Sequence, residues 1–281
     1  MENVFDRKGP TAWCPGCGNH ALRKIVLDAL EQVGADRQKV VFVSGIGQAA
    51  KAPQYMNVHY FNGLHGRAIP AATGIKIANP ELTVIVESGD GDLYGEGGNH
   101  LLHAIRRNPD ITVIAHNNMV YGLTKGQASP TSPRGMVTSV QVTGVLSTPF
   151  NPLALAISQD ASFVARGVVS APELTRELIV QAISHRGFAL VDVFQNCATY
   201  NKINTFKWYR ENTVTVPPSH DPSDRLSAFS LALEENPYPI GLFYMNEKPT
   251  FERSLALFQR SPSPLHGRRT DVRSALESLA G

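Results

Sequence analysis

The feature that most constrains this 281-residue chain is a recurrence. Short apolar runs rich in β-branched residues, each stopping at a Gly- or Asn-rich turn, alternate with longer segments of helical period. Val40-Val41-Phe42-Val43 runs into Ser44-Gly45-Ile46-Gly47, and Leu82-Thr83-Val84-Ile85-Val86 into Gly89-Asp90-Gly91-Asp92. Ile111-Thr112-Val113-Ile114-Ala115 runs into Asn117-Asn118. Two further strands are predicted over 163–168 and 188–193, and helices over 21–33, 68–78, 99–107, 152–158 and 173–184. The strand segments lack the polar alternation of a half-solvated sheet, so both of their faces are expected to be covered. The predicted fold class is therefore α/β, a mostly parallel sheet with helices on both faces. Ligands in such sheets gather at the carboxyl ends of the strands. The unusual turns all lie there.

Beyond Tyr200 the pattern breaks, because Pro217-Pro218, Asn236-Pro237-Tyr238-Pro239 and Ser261-Pro262-Ser263-Pro264 interrupt any long regular element. The chain is read as an α/β domain over 1–200, followed by an irregular C-terminal arm over 201–281. The arm is expected to hold a few short helices and to pack on a partner; a loose cap on the same domain is the competing reading. Lys+Arg 26 against Asp+Glu 24 leaves a formal charge of +2, which offers no basic face for nucleic acid. The N-terminus is polar, without the apolar core of a signal peptide. No apolar run approaches the roughly 18 residues of a membrane span. A cytoplasmic protein with neither nucleic acid nor membrane as partner is expected.

Gly89-Asp90-Gly91 and Asn117-Asn118 each close a predicted strand, so they can meet at one sheet edge. A carboxylate and an amide oxygen beside backbone carbonyls make a hard-oxygen site suited to Mg²⁺. The glycines let the backbone approach a diphosphate, which the ion would bridge to the protein. Taken singly, each motif is also a good turn former. Their spacing together resembles the signature of enzymes that use thiamine diphosphate. Separately, Cys14 and Cys17 form a C-x-x-C pair, and Cys197 stands far along the chain. Three cysteines are no disulfide framework, and such a pair in a reducing compartment points to a metal, cluster or redox site.

These blocks, with Leu64-His65-Gly66-Arg67-Ala68 and Tyr121-Gly122-Leu123-Thr124-Lys125-Gly126-Gln127, resemble the β subunits of 2-oxoacid:ferredoxin oxidoreductases over roughly residues 12–200. The resemblance implies a thiamine-diphosphate-binding fold and coenzyme A-dependent oxidative decarboxylation of a 2-oxo acid, of the pyruvate or 2-oxoglutarate class, with electrons passed to ferredoxin. It further implies that Asp90, Asn118 and the Val120 carbonyl ligate Mg²⁺. Ser44, Gly45, Ile46, Gly47, Gly89, Gly91, Asp92, Gly122, Leu123 and Thr124 would line the cofactor. His65 would sit near its reactive end, a structural histidine being the competing role. Lys51 would meet the substrate carboxylate, a solvated surface lysine being the alternative, and it favours an acid with a second carboxylate. Thr124 and Lys125 are compatible with contacts either to the diphosphate or to coenzyme A.

The chain departs from the family pattern in two ways. The family binds a [4Fe–4S] cluster through four cysteines, and Cys14, Cys17 and Cys197 match three of them. Gln48 stands at the fourth position, and a carboxamide is a poor substitute for thiolate at iron. Three outcomes stay open: a cluster with one non-thiolate ligand, a three-iron or less stable cluster, or none. Moreover, the glutamate that hydrogen-bonds the cofactor's aminopyrimidine has no second α/β repeat to carry it. The resemblance assigns it to a separate α subunit, so the chain alone is expected to be inactive. A non-oxidative thiamine-diphosphate-dependent decarboxylase or carboligase without a cluster is the alternative function. A mere binding scaffold is disfavoured by the intact Asp90 and Asn118.

Overall fold

The computed structural model describes residues 3–268 together with Arg273 and Glu277; Met1, Glu2 and the rest of the expected C-terminal arm lie outside the described residues. The chain opens with α1 (Gly18–Gln32), β1 (Val40–Ser44) and β2 (His59–Asn62). There follow α2 (Ala68–Ala78), β3 (Thr83–Gly89), α3 (Gly98–Arg107) and β4 (Ile111–Asn117). A small hairpin of β5 (Val120–Tyr121) and β6 (Gln127–Ala128) leads to α4 (Pro152–Ser158), β7 (Phe163–Val168), α5 (Pro172–Ser184) and β8 (Phe188–Phe194). Then come α6 (Phe206–Glu211), β9 (Thr213–Thr215), α7 (Arg225–Ala232) and β10 (Tyr238–Met245), followed by the short helices α8 (Phe251–Ser254) and α9 (Ala256–Arg260).

Eight strands form one sheet in the order β2-β1-β3-β4-β8-β7-β10-β9. Every pairing is parallel except that of β10 with β7, so the sheet is mostly parallel, as the covered-strand pattern predicts. In β4, Ile111, Val113 and Ala115 face one layer while Ile114 faces the other. The period of two is present, but both faces are apolar. One layer packs Leu22, Val26 and Leu30 of α1 with Leu178 and Ile179 of α5. The other packs Ile69 of α2, Leu101 and Ile105 of α3, and Leu153 and Ile157 of α4. Each such side chain is fully buried or nearly so, worth about 1.5–3 kcal/mol apiece. Asn151 caps α4 by accepting from the Ala154 N–H, with Pro152 in the first turn, where a missing N–H costs nothing.

The segment after Tyr200 holds the expected short helices but is more than an arm. It contributes β9 and β10 to the sheet, and Ala228, Ala232, Phe243 and Tyr244 join the main core. Residues before α1 also pack inward: Phe5 and Trp13 are buried, and Asp6 pairs with Arg23 of α1. Among the described residues no helix is long and apolar enough to cross a membrane.

Candidate functional site

β1 leads outward to β2, and β3 returns on the other side of β1, so the carboxyl ends of β1 and β3 part. Crevices of this kind hold ligands in α/β sheets. A cleft with about 500 Å³ of open space lies there. Of the residues expected at the site, Ile46, Gly47, His65, Gly89, Asp90, Gly91, Asp92, Asn118, Val120, Gly122, Leu123 and Thr124 line it. Ser44, Gly45 and Lys51 are not among the lining residues. Ser44 is fully buried, and its hydroxyl accepts from Asn62 Nδ2 (3.0 Å), which also donates to the Gly45 carbonyl (2.6 Å). Both residues shape the turn from behind. Lys51 is half-buried on the 3₁₀ turn Ala49–Tyr55 that leads away from the cleft.

Asp92 reaches the cleft, but both of its oxygens are engaged by protein. Oδ1 accepts from the backbone N–H of Ile46 (3.1 Å) and of Gly66 (2.9 Å), and Oδ2 accepts from Ser88 Oγ (2.9 Å). Burial pushes the pKa of this carboxyl up, while those N–H groups and the hydroxyl pull it back. Asp92 therefore ties together three turns rather than presenting a free carboxylate to a ligand. The backbone from Gly91 to Glu96 forms a single π-helical turn that runs into α3. Such turns recur at functional sites.

Asp90 is 1% exposed, and its Oδ2 accepts from Ser129 Oγ and Thr131 Oγ1, each at 2.6 Å. Burial pushes its pKa up to about 6 against these hydroxyls. A cation would reverse that penalty by supplying the missing countercharge. Asn118 lies across the cleft, its Oδ1 accepting from the Val120 N–H (3.0 Å). Between them Met119 adopts φ +60°, unusual for a side chain of this kind. Ser132 Oγ donates to the Met119 carbonyl (2.6 Å), and Asn201 Nδ2 to that of Asn118 (3.1 Å), holding the turn.

Asp90, Asn118 and Val120 thus share one cleft, and a carboxylate, an amide oxygen and a backbone carbonyl are donors of the kind that would hold Mg²⁺. Among the described residues no group of three or more His, Cys, Asp or Glu could hold a metal ion. The set here relies on amide and carbonyl oxygens instead. Tyr121 closes one side: a β-carbon on Gly91 would lie 2.3 Å from its ring, so only glycine fits. Tyr121 Oη donates to the Gly91 carbonyl and to Glu96, both at 3.3 Å. Burial, and then the Glu96 charge, hold its phenol well above the usual range. Glu96, Ser129 and Thr131 are site residues that the sequence reading misses. The hydroxyls sit about 40 positions from Asp90 with no motif to mark them.

The segments that carry the cysteines run side by side, but Cys14, Cys17 and Cys197 do not form a group that could hold a metal ion. The Gly18 N–H donates to the Asn196 carbonyl (3.1 Å), Asn196 Nδ2 donates to that of Gly16 (2.9 Å), and Thr199 Oγ1 donates to Cys14 Sγ (3.2 Å). Burial pushes the Cys17 thiol up to about 11, with Cys197 and Cys14 close enough to add to the effect. Trp13 Nε1 donates to the Gln48 carbonyl (2.8 Å), and Gln48 itself lines the cleft. The Gln48 Oε1 is buried with no hydrogen-bond partner. Three thiols and one orphaned amide oxygen do not make the four-thiolate set of a [4Fe–4S] site.

Comparison with known proteins bears on the same residues. Residues 41–193 match the family described as thiamine pyrophosphate enzyme, C-terminal TPP binding domain. Residues 197–260 match the family of C-terminal segments of the pyruvate ferredoxin oxidoreductase beta chain. A 2-oxoacid:ferredoxin oxidoreductase subunit beta of Saccharolobus solfataricus is 45% identical over 268 residues, 90% of this chain and 87% of that one. The 2-oxoglutarate synthase subunit KorB of Archaeoglobus fulgidus is 42% identical over 206 residues, 72% and 77% of the two chains. Among solved structures, a 2-oxoglutarate:ferredoxin oxidoreductase from Magnetococcus marinus, with 2-oxoglutarate, coenzyme A and succinyl-CoA bound, superposes with a TM-score of 0.92 at 37% identity, over 99% of this chain and 94% of that one. The likeness extends past the 12–200 stretch that the motifs delimit, because the later residues are strands and core rather than ligand-binding turns.

Proposed function

Since the chain belongs to the β-subunit family of the 2-oxoacid:ferredoxin oxidoreductases, we propose that it works with an α subunit, in the cytoplasm, in the coenzyme A-dependent oxidative decarboxylation of a 2-oxo acid, with ferredoxin as electron acceptor. The observation that carries this reading is the meeting of Asp90, Asn118 and Val120 with the glycine turns of β1 and β3 in one cleft. Thiamine diphosphate, when bound, supplies the electron sink that makes loss of carbon dioxide feasible.

The chain's own residues bind and orient. Asp90, Asn118 and the Val120 carbonyl are the Mg²⁺ ligands, and Gly89, Gly91, Gly122, Leu123 and Thr124 give the diphosphate close access to backbone. Ser44 and Gly45 fix the turn that carries Ile46 and Gly47. His65, exposed at the cleft, serves the reactive end. Lys51, outside the cleft wall, meets the substrate carboxylate once the α subunit has covered the site. The names of the Archaeoglobus and Magnetococcus relatives support 2-oxoglutarate as the first substrate to try. Cys14, Cys17 and Cys197 would hold an iron–sulfur centre only by drawing together from their present arrangement, with a fourth ligand other than thiolate.

Gln48 also favours a second reading, a non-oxidative decarboxylase or carboligase without a cluster. The deciding experiment is copurification with the α subunit under anaerobic conditions, followed by iron, sulfide and activity measurements. Iron-containing protein that reduces ferredoxin with 2-oxoglutarate and coenzyme A supports the first reading. Iron-free protein that still releases carbon dioxide replaces it with the second, and a complex that binds no thiamine diphosphate sinks both.

A further inference from the structure

A second, small cavity lies between the start of α4, the end of α7 and the carboxyl ends of β4, β7 and β8. Arg166, 4% exposed, stands in its wall. The Nε and Nη1 of Arg166 are buried without a hydrogen-bond partner. Its nearest carboxylate oxygen, Asp192 Oδ2, is 3.5 Å from Nε, an ion-pair distance but too long for a good hydrogen bond. Asp192 is already occupied by the Tyr94 hydroxyl (2.7 Å) and Asn117 Nδ2 (3.1 and 3.2 Å). The guanidinium also stacks near Phe194 (4.8 Å) and Tyr238 (5.7 Å). An always-charged fork of five donors is therefore held in an aromatic wall with donors left over. Leaving buried donors unmade is costly, so a partner is called for.

We propose that this cavity is a binding site for a small monocarboxylate. The planar two-oxygen group matches the Arg166 fork, and a short apolar substituent would rest on Phe150, Pro152 and Tyr238. Glu234 and Glu235 at the exposed rim oppose phosphate and other multiply charged anions. Thr131 separates this cavity from the cofactor cleft: it lines the cavity and donates to Asp90 (2.6 Å). Occupancy here is thus expected to shift Mg²⁺ affinity, and the shift must be reciprocal. The site does not depend on the proposed reaction, since acids without a 2-oxo group fit it equally.

The test uses the chain in complex with its α subunit and propionate as the probe. Trifluoroacetate is titrated first by ¹⁹F NMR, then displaced by propionate, with sulfate at matched ionic strength as control. The expected result is saturable binding that propionate reverses and sulfate does not. Arg166→Gln should weaken it about tenfold or more, the scale of a charge-assisted bidentate pair. Because Arg166→Gln strands Asp192 and can misfold, the Glu234→Gln/Glu235→Gln double variant is measured as well. It should tighten binding about two- to fivefold, what relief of exposed like charges is worth. Failure to saturate below about 100 mM, an unchanged affinity in the double variant, or propionate-soaked crystals with only water against Arg166 overturns the proposal.

Discussion

A β-carbon added to Gly45 would lie 2.0 Å from Asp92 Oδ2, so the end of β1 and the turn after β3 fit only because residue 45 has no side chain. The carboxylate cannot retreat, since two backbone N–H groups and a serine hydroxyl hold it. Gly45→Ala is expected to cost about 2–3 kcal/mol, the upper part of the range for overpacking a tight interior. Thiamine diphosphate affinity of the two-subunit complex should fall with it. Urea unfolding and a cofactor titration check both, and wild-type affinity in the variant would show that the turn adapts.

Asp90 owes its alignment to two hydroxyls, those of Ser129 and Thr131. Thr131→Val keeps the shape and removes one donor, and losses in such supporting partners cost about 10–100-fold in metal affinity. A weakening near the lower end is expected, because Ser129 still donates. Thr131→Ser should restore most of it. Mg²⁺-dependent binding of thiamine diphosphate gives the readout, and equal affinity in Thr131→Val would dismiss the hydroxyl.

The C-terminal strand is pinned by a carboxylate. Tyr244 Oη donates to Asp160 Oδ1 (2.7 Å), and Lys248 Nζ lies 3.3 Å from Oδ2. Burial alone would raise the Asp160 pKa, but the Tyr244 hydroxyl and the Lys248 charge outweigh it and leave the group below its ordinary 3.8. A depressed carboxylate stabilises the fold above the unfolded value, and that contribution is lost as pH falls through the folded value. The window therefore lies below pH 3.8. Asp160→Asn should be less stable than wild type by a constant amount near neutrality, with the gap closing in strong acid. Unfolding midpoints of both proteins across that range decide it; a gap that persists in strong acid counts against the carboxylate.

The proposed iron–sulfur centre lacks a fourth thiolate, and Gln48→Cys is the substitution meant to supply one. The backbone carbonyl of Gln48 is already held by Trp13, whose neighbour in the chain is Cys14, and the residue lines the cleft. Iron and sulfide are expected to rise toward the four of a Cys₄ cluster. Air stability should improve with them. Unchanged iron would mean that residue 48 does not face the centre.

The sheet and cleft were legible because Gly89-Asp90-Gly91 and Asn117-Asn118 each interrupt an unmistakable apolar run. β10 was not legible, since Pro239 and Gly241 break its pattern. The structure accommodates them by dividing the strand: residues 238–240 pair only with β9, and pairing with β7 begins at Gly241 opposite Arg166. β2 escaped notice for another reason, being an exposed edge with polar and aromatic residues on both faces. The roles of Ser129, Thr131 and Arg166 depend on what the fold brings beside them. An arginine inside a buried strand was the single visible hint of the second cavity.

The antiparallel seam between β10 and β7 guards the sheet against other chains. All six residues of β7 are buried, and without β10 they would form an unguarded edge with a row of unsatisfied backbone groups. Such edges recruit other chains. A nick that released the last strand would therefore leave a species prone to aggregate, its cofactor cleft still largely intact, rather than a smaller working subunit.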